Sequence, residues 1–505
     1  MNKPDALTLV IFGASGDLTR RKLMPALYLL YKAGRLPRRF AVLGMARTSY
    51  DDDRFRTSIR EGLLSFVRPD EVDEKAIQAF LSCLHYLSAD PSEPEAYAEL
   101  KTRLEEIDRT IDNPHNYLYY LATPPLLYGV IPRHLKAEGL NREDDGFRRI
   151  VVEKPFGYDL SSALELNRIY LDAFREEQIY RIDHFLGKET VQNILALRFA
   201  NGIFEPLWNR NYIDYIEVTA VENLGIEQRG GFYDTAGALR DMVQNHLIQL
   251  VALTAMEPPA VFNADTFRNE VVKVYESLTP LTEEDFEEHI VRGQYTASGS
   301  KKGYREEKNV SPKSRTETYI AMKLGISNWR WSGVPFYIRT GKQMPTKVTE
   351  IVVHFRETPH QMFHCAGGNC PRANKLILRL QPNEGIVLKI GMKVPGAGFE
   401  VKQVTMDFSY DQLGGVPSGD AYARLIDDCI QGDPTLFTRS DAVEASWRFF
   451  DPILKYWKEH PDAPLYGYPA GTWGPLESEA MMHEHGAEWT NPCKNLTNTD
   501  QYCEL

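Results

Sequence analysis

Short runs of β-branched and aromatic residues alternate with helical spacing through the first third of the chain. The runs cover residues 7–12, 40–45, 84–87, 117–121 and 150–153, and a helical or loop segment follows each. Strands regularly separated by helices read as a parallel, doubly wound sheet, because parallel neighbours need a crossover connection. That order predicts a Rossmann-type domain. After about Asp183 the pattern changes. Helical spacing covers 188–199, a strand follows near 215–221, and a long helical run extends over 232–255. Beyond it strands dominate. Ile351, Val353 and Phe355 alternate with polar neighbours, as do Leu376, Leu378 and Leu380, then Ile386, Leu388 and Ile390, then Val404, Met406 and Phe408. Alternation over four successive segments predicts a large antiparallel sheet with one buried face and one wet or covered by a partner. Helical segments at 420–431 and 441–457 close this part, and the tail after Gly474 reads as polar and loosely held. The expected fold class is therefore α/β plus α+β: a Rossmann-type domain over 1–183 joined to a larger α+β domain over 184–505.

Composition narrows the function. With 505 residues, 43% of them hydrophobic, the chain is too long for one core. No stretch approaches the roughly 20 uninterrupted apolar residues of a membrane span. The first residues lack the basic, apolar and small-residue succession of a secretory signal, so a cytoplasmic location is expected. Six cysteines without a CxxC pair suggest neither a disulfide scaffold nor zinc, and no metal is expected. Cys365 and Cys370 flank Gly367 and Gly368; they read as loop thiols, with a metal or redox pair as the alternative. A net charge of −12 argues against nucleic acid as a partner. An anionic metabolite would instead need a local cluster of Lys, Arg and His.

Two places offer such chemistry. The first strand runs into Gly13, Ala14, Ser15, Gly16, Asp17 and Leu18, and helical spacing follows. Glycines at a strand-to-helix turn let the backbone approach a pyrophosphate, whose charge the helix N–H groups can hold. The spacing is GxxG rather than GxGxxG, so by itself it is equally an ordinary tight turn. It is not a P-loop, since Leu18 stands where the second glycine would be. Pro25 should kink the following helix. At the end of the second strand, where an acid would hold the ribose of NAD, the chain has Arg47, which suits the 2′-phosphate of NADP; the alternative is a solvated arginine.

The second place is Arg181-Ile182-Asp183-His184-Phe185-Leu186-Gly187-Lys188-Glu189, where the parallel pattern ends. With His184 at a strand terminus and Lys188 opening a helix, both can meet one dianionic phosphate; otherwise the string is a solvated turn. Further on, His246 interrupts an apolar stripe formed by Leu239, Met242, Val243, Leu250 and Leu253. It is either a satisfied core histidine or a base near neutral pH, oriented by a carboxylate for which Asp183 is the candidate. Asp241 lies five positions before it, about 140° away on an ideal helix. If both serve one ligand, the helix is distorted or the ligand spans more than one face.

Taken in order, GASGDL, EKPFG, RIDHFLGKE, the segment 234–246 and PFYIRTGKQMPTK resemble the signature segments of the glucose-6-phosphate dehydrogenase family, from about residue 7 to 476. The resemblance implies oxidation of C1 of glucose 6-phosphate to the lactone with hydride transfer to NADP, the first step of the oxidative pentose phosphate pathway. It also implies a homodimer or homotetramer assembled through the large sheet. By the same resemblance His246 is the base and Asp183 its partner, and His184 and Lys188 hold the phosphate. Glu222, Asp241, Lys342 and Lys347 match substrate-binding positions. Lys154 matches the lysine between sugar and nicotinamide, and residues 13–20, Arg47 and Tyr128 match cofactor positions. Phe185 departs from the Tyr of many members, which implies a weaker phosphate contact. Two other readings remain: a related EKP-type oxidoreductase acting on an unphosphorylated sugar, against which His184 and Lys188 argue, and a non-catalytic NADP-binding regulator.

Overall fold

In a computed structural model the chain is described over residues 3–360, 362–365, 373–413, 421–484 and 486–492. It divides into two compact units. One comprises Met1–Glu189, Pro259–Asn269 and Ser418–Glu444, the other Thr190–Pro258, Glu270–Pro417 and Ala445–Leu505. The first unit thus gathers two later segments that a single cut near residue 183 assigns elsewhere. Specific contacts hold one of them: Arg149 donates to the carbonyls of Cys429 and Ile430 at 2.6 and 2.7 Å, and Arg35 pairs with Asp427. Cys370, Cys493 and Cys503 lie outside the described residues. Cys83 and Cys429 are free thiols.

Among its described residues the first unit contains six strands: β1 (Ala6–Phe12), β2 (Arg39–Ala46), β3 (Leu84–Ser88), β4 (Tyr117–Leu121), β5 (Arg148–Val152) and β6 (Ile179–Arg181). All pair in parallel, in the order β3-β2-β1-β4-β5-β6. Every residue of β1 and β4 is buried, as expected of central strands covered on both faces by crossover helices. The order reverses between β1 and β4, and the crevice beyond such a switch point is where open α/β sheets bind ligands. Pro25 does not break a helix interior. The turn before it, Thr19–Leu23, runs as π-helix, and Pro25 stands in the first turn of the helix Met24–Lys32. The wider turn gives room at the position where the proline ring would otherwise press on the preceding turn.

Among its described residues the second unit has ten strands: β7 (Ile213–Val221), β8 (Ile290–Thr296), β9 (Tyr319–Leu324), β10 (Phe336–Gly341), β11 (Val348–Phe355), β12 (His364–Cys365), β13 (Lys375–Gln381), β14 (Gly385–Lys393), β15 (Glu400–Ser409) and β16 (Tyr466–Pro469). They form one sheet in the order β12-β15-β14-β13-β11-β7-β10-β9-β8-β16. Pairing is mainly antiparallel, but β7 with β10, β8 with β16 and β12 with β15 run in parallel. The alternating residues stack across strands, Leu376 beside Leu388 beside Met406 and Leu378 beside Ile386 beside Phe408. The opposite face carries Val352, Ile377 and Val387 into a core with Tyr337, Met481 and Trp489.

Two expectations fail in this unit. The run over 232–255 is not one α-helix: it comprises Gly230–Ala238, a π-helix over Leu239–Leu247 and the α-helix Ile248–Ala255. The stretch after Gly474 is not loose over its described part. It forms the helix Leu476–His483, and Trp489 and Thr490 are buried beyond it. Thr490 donates its N–H and hydroxyl to Glu217 at 2.9 and 2.8 Å, and Arg339, buried between the rings of Trp473 and Trp489, donates to Thr490 O and Asn491 Oδ1.

Candidate active site

In the first unit the candidate side chains stand at the carboxyl ends of parallel strands. Gly13 follows β1 with φ +83°, and a Cβ there would lie 2.2 Å from the carbonyl oxygen of Ala122. Only glycine allows the backbone to turn this close to the end of β4. Its N–H donates to Met45 O at 2.8 Å, and Gly16 N–H closes the turn on Gly13 O at 2.9 Å. Ala14 is buried, Ser15 and Asp17 are exposed, and Leu18 leads into the helical segment. Asp17 would repel an anion, but Arg21 pairs with it at 2.8 Å. Thr48 hydroxyl donates to Ser15 Oγ at 2.8 Å and so links the loop to the end of β2. There the Arg47 side chain is 80% exposed, with Nε 4.0 Å from Asp90 Oδ2. A glycine cradle at the switch point with an open guanidinium beside it fits a dinucleotide carrying a 2′-phosphate. Tyr128, by contrast, is buried, and burial followed by the charge of Glu153 pushes its phenol up.

The phosphate candidates sit beyond β5 and β6. Asp183 is buried, and its Oδ1 accepts the N–H of Phe185 at 2.8 Å, which fixes the turn that presents His184. His184 Nε2 lies 3.2 Å from Glu153 Oε2 and 3.2 Å from the Tyr422 hydroxyl, whose ring centroid is 4.4 Å away. Tyr120 in turn donates to Glu153 Oε1 at 2.5 Å. His184 Nδ1 is buried with no hydrogen-bond partner among the described residues. Lys188 directly precedes the helix Glu189–Phe199, and its ammonium lies 4.1 Å over the Phe185 ring. Lys154 follows Glu153 at the end of β5. Glu153 belongs to the EKPFG string and Tyr422 lies near the start of the helical segment 420–431, but neither drew a role from sequence. The signal available was a buried acid beside the basic residue of EKP, and a Tyr at the start of a helix whose place in the first unit no local pattern reveals.

In the second unit Glu222 follows β7 and Lys342 follows β10. Because these two strands are parallel and pair Val221 with Gly341, both side chains emerge at one edge. They form an ion pair. The backbone locks the arrangement: Glu222 N–H donates to Gly341 O and Met344 N–H to Glu222 O, both at 2.9 Å. Lys342 Nζ lies 5.5 Å over the ring of buried Tyr233, whose hydroxyl has no partner among the described residues. Lys347 is exposed one residue before β11.

Asp241 and His246 both lie on the π-helix Leu239–Leu247. There Ile248 N–H donates to Val243 O, five residues back, and the Asn245 side chain donates to Arg240 O at 2.6 Å. In i→i+5 bonding, residues five apart fall nearly one above the other. The wide angular separation of an ideal α-helix is therefore much reduced. Asp241 is half-buried and His246 is 3% exposed.

Residues 10–193 match the family model of the glucose-6-phosphate dehydrogenase NAD binding domain, and residues 195–490 match that of the glucose-6-phosphate dehydrogenase C-terminal domain. The chain is 52% identical over 494 residues to a glucose-6-phosphate 1-dehydrogenase of Aggregatibacter actinomycetemcomitans, covering 97% of this chain and 98% of that one. It is 48% identical to that of Treponema pallidum, covering 98% and 97%. A solved glucose-6-phosphate dehydrogenase in complex with its substrate glucose-6-phosphate superposes with a TM-score of 0.90 at 35% identity, covering 97% of this chain and all of that one.

Proposed function

Because the chain belongs to the glucose-6-phosphate dehydrogenase family, we propose how its residues divide the work of oxidising glucose 6-phosphate at C1 to the lactone. NADP supplies the acceptor for the hydride that leaves C1. His246 takes the proton of the C1 hydroxyl, and Asp183 orients the imidazole and stabilises the imidazolium that forms. His184 and Lys188 hold the 6-phosphate, with Glu153 and Tyr422 fixing the His184 ring. Glu222, Asp241, Lys342 and Lys347 hold the sugar hydroxyls, acids accepting and lysines donating. Lys154 lies between sugar and nicotinamide. Gly13 to Leu18 receive the pyrophosphate, and Arg47 pairs with the 2′-phosphate; Tyr128 borders the cofactor.

The observation that carries this reading is the π-helical register of Asp241 and His246. A core histidine needs no such distortion, whereas a base and a hydroxyl-binding acid serving one sugar need to share a side. Absorbance at 340 nm with the four combinations of NAD or NADP and glucose or glucose 6-phosphate tests the reading. Rapid NADPH formation with glucose 6-phosphate alone is expected. Equal rates with glucose would favour the sugar oxidoreductases without a phosphate site, and tight NADP binding without turnover would favour a regulator.

The same reading extends to assembly and place. No described helix is long and apolar enough to cross a membrane, and the enzyme works in the cytoplasm. It forms a homodimer or homotetramer through the outer strands of the large sheet, where Met392, Met406 and the nearby Phe399 are exposed. Covering such a patch is the ordinary fate of apolar sheet surface. Light scattering on the purified protein distinguishes these from a monomer.

A further inference from the structure

The first N–H groups of a helix have no intrahelical acceptor, and each one buried without a partner costs about 1–3 kcal/mol. In the second unit this difficulty arises in the middle of a helical stretch. Gly237 leaves helical geometry at φ +71° and ψ 171°, so hydrogen bonding has to begin again just ahead of Asp241. Glu317, a buried acid outside every motif above, supplies the acceptors. Its backbone oxygen takes the N–H of Ala238 at 3.0 Å, and its carboxylate Oε1 takes that of Leu239 at 3.1 Å. Gly237 makes room for this: a Cβ there would lie 2.3 Å from Glu317 Oε1.

The neighbouring residue points the other way along the same cluster. Thr318 O accepts the N–H of Lys342 at 2.9 Å. The Tyr468 hydroxyl donates to Lys342 O at 2.7 Å and lies 3.1 Å from Thr318 Oγ1. One dipeptide thus touches both the start of the segment bearing Asp241 and His246 and the backbone of Lys342, which pairs with Glu222.

We propose that Glu317 is a positioning residue that, through its hydrogen bond to Leu239, sets the start and register of the π-helix and so holds His246 and Asp241 in fixed relation to Lys342. It acts through the helix and touches no reacting atom. This role rests on His246 being the base. Burial pushes the Glu317 carboxyl up, and the Leu239 N–H pulls it partly back. The contact with Leu239 uses only an acceptor oxygen, so a neutral acceptor of the same shape suits the position.

Two conservative variants of the full chain separate the oxygen from the charge. Glu317→Gln keeps an oxygen within reach of Leu239 N–H, whereas Glu317→Asp keeps the charge and withdraws it by one methylene. Expected for Gln is a kcat within about threefold of the parent. Expected for Asp is a loss of about tenfold or more in kcat, since a small misplacement of a reacting group is costly. Its KM for glucose 6-phosphate, its melting temperature and its NADP dissociation constant, read from tryptophan fluorescence, should stay close to the parent values. The isotope effect from deuterium at C1 should rise in the Asp variant as the chemical step becomes limiting. An unchanged kcat in Asp, a loss in Gln as large as in Asp, or parallel losses of NADP binding and melting temperature would each overturn the role. His246→Asn is measured alongside. If it stays active the base assignment fails, and if it is inactive while Glu317→Asp is normal, only the positioning role fails.

Discussion

The two units build their candidate sites by different means. In the first, Gly13 to Leu18, Arg47, Glu153, Lys154, Asp183 and His184 all follow the carboxyl ends of parallel strands. In the second, Glu222 and Lys342 obey the same rule, because β7 and β10 are a parallel pair inside a mainly antiparallel sheet. Asp241 and His246 do not. They come from a helix whose hydrogen bonding departs from the α pattern. Regular strands place side chains by chain order alone, so such sites survive substitution of their surroundings. A π-helix holds its register only while its ends are satisfied, and the residues it presents depend on anchors distant in sequence.

The largest expected effect lies on the irregular side. His246→Asn should bind substrate and NADP nearly as before and lose about 10²-fold or more in kcat, the usual worth of a positioned base. Steady-state kinetics with a calorimetric check of substrate binding decides it. Turnover near that of the parent would reduce His246 to a core residue and remove the functional meaning of the contrast.

On the regular side Arg47→Ala should act on the cofactor alone. A guanidinium bond to a phosphate contributes about 1.5–3 kcal/mol, roughly ten- to hundredfold in affinity. The KM for NADP should rise by that factor while NAD-linked activity is unmoved, because the second cofactor lacks the 2′-phosphate. A parallel loss with NAD would mean that Arg47 supports the loop rather than reading the phosphate. Tyr422→Phe is milder. It removes one hydrogen bond to His184, about 1 kcal/mol, and should raise the KM for glucose 6-phosphate about fivefold with kcat kept. An equal KM would show that Glu153 suffices to fix the imidazole.

The same contrast explains what the sequence disclosed. The strand 7–12 was legible to within one residue of Ala6–Phe12, and the four alternating segments foretold β11, β13, β14 and β15. β10 was not foretold, because Arg339 interrupts its apolar run; the arginine is nonetheless buried, sandwiched between Trp473 and Trp489. The tail read as polar for a related reason, since the partners of Thr490 and Asn491 are Glu217 and Arg339 on distant strands. The π-helix left only the angular conflict between Asp241 and His246 as its trace. Its anchor Glu317 left none, since its contact with Leu239 spans 78 residues.

The smallest expected effect returns to a regular turn. Phe185 lacks the hydroxyl that many relatives of this family are expected to offer the phosphate, and Phe185→Tyr should lower the KM for glucose 6-phosphate with little change in kcat. A new hydrogen bond to a charged group is worth at most about 1.5–3 kcal/mol. Here the gain should fall below that, because the Phe185 ring already faces the Lys188 ammonium at 4.1 Å, and a contact of this kind between half-buried groups contributes about 0.5–1 kcal/mol or more by itself. The aromatic face is therefore in use before any hydroxyl is added, and the new group competes with water for a phosphate that His184 and Lys188 already hold. A decrease in KM of about threefold is expected. Equal KM values for parent and variant would place the position-185 hydroxyl out of reach of the phosphate, and would leave the ring's hold on Lys188 as the reason an aromatic residue stands at this turn.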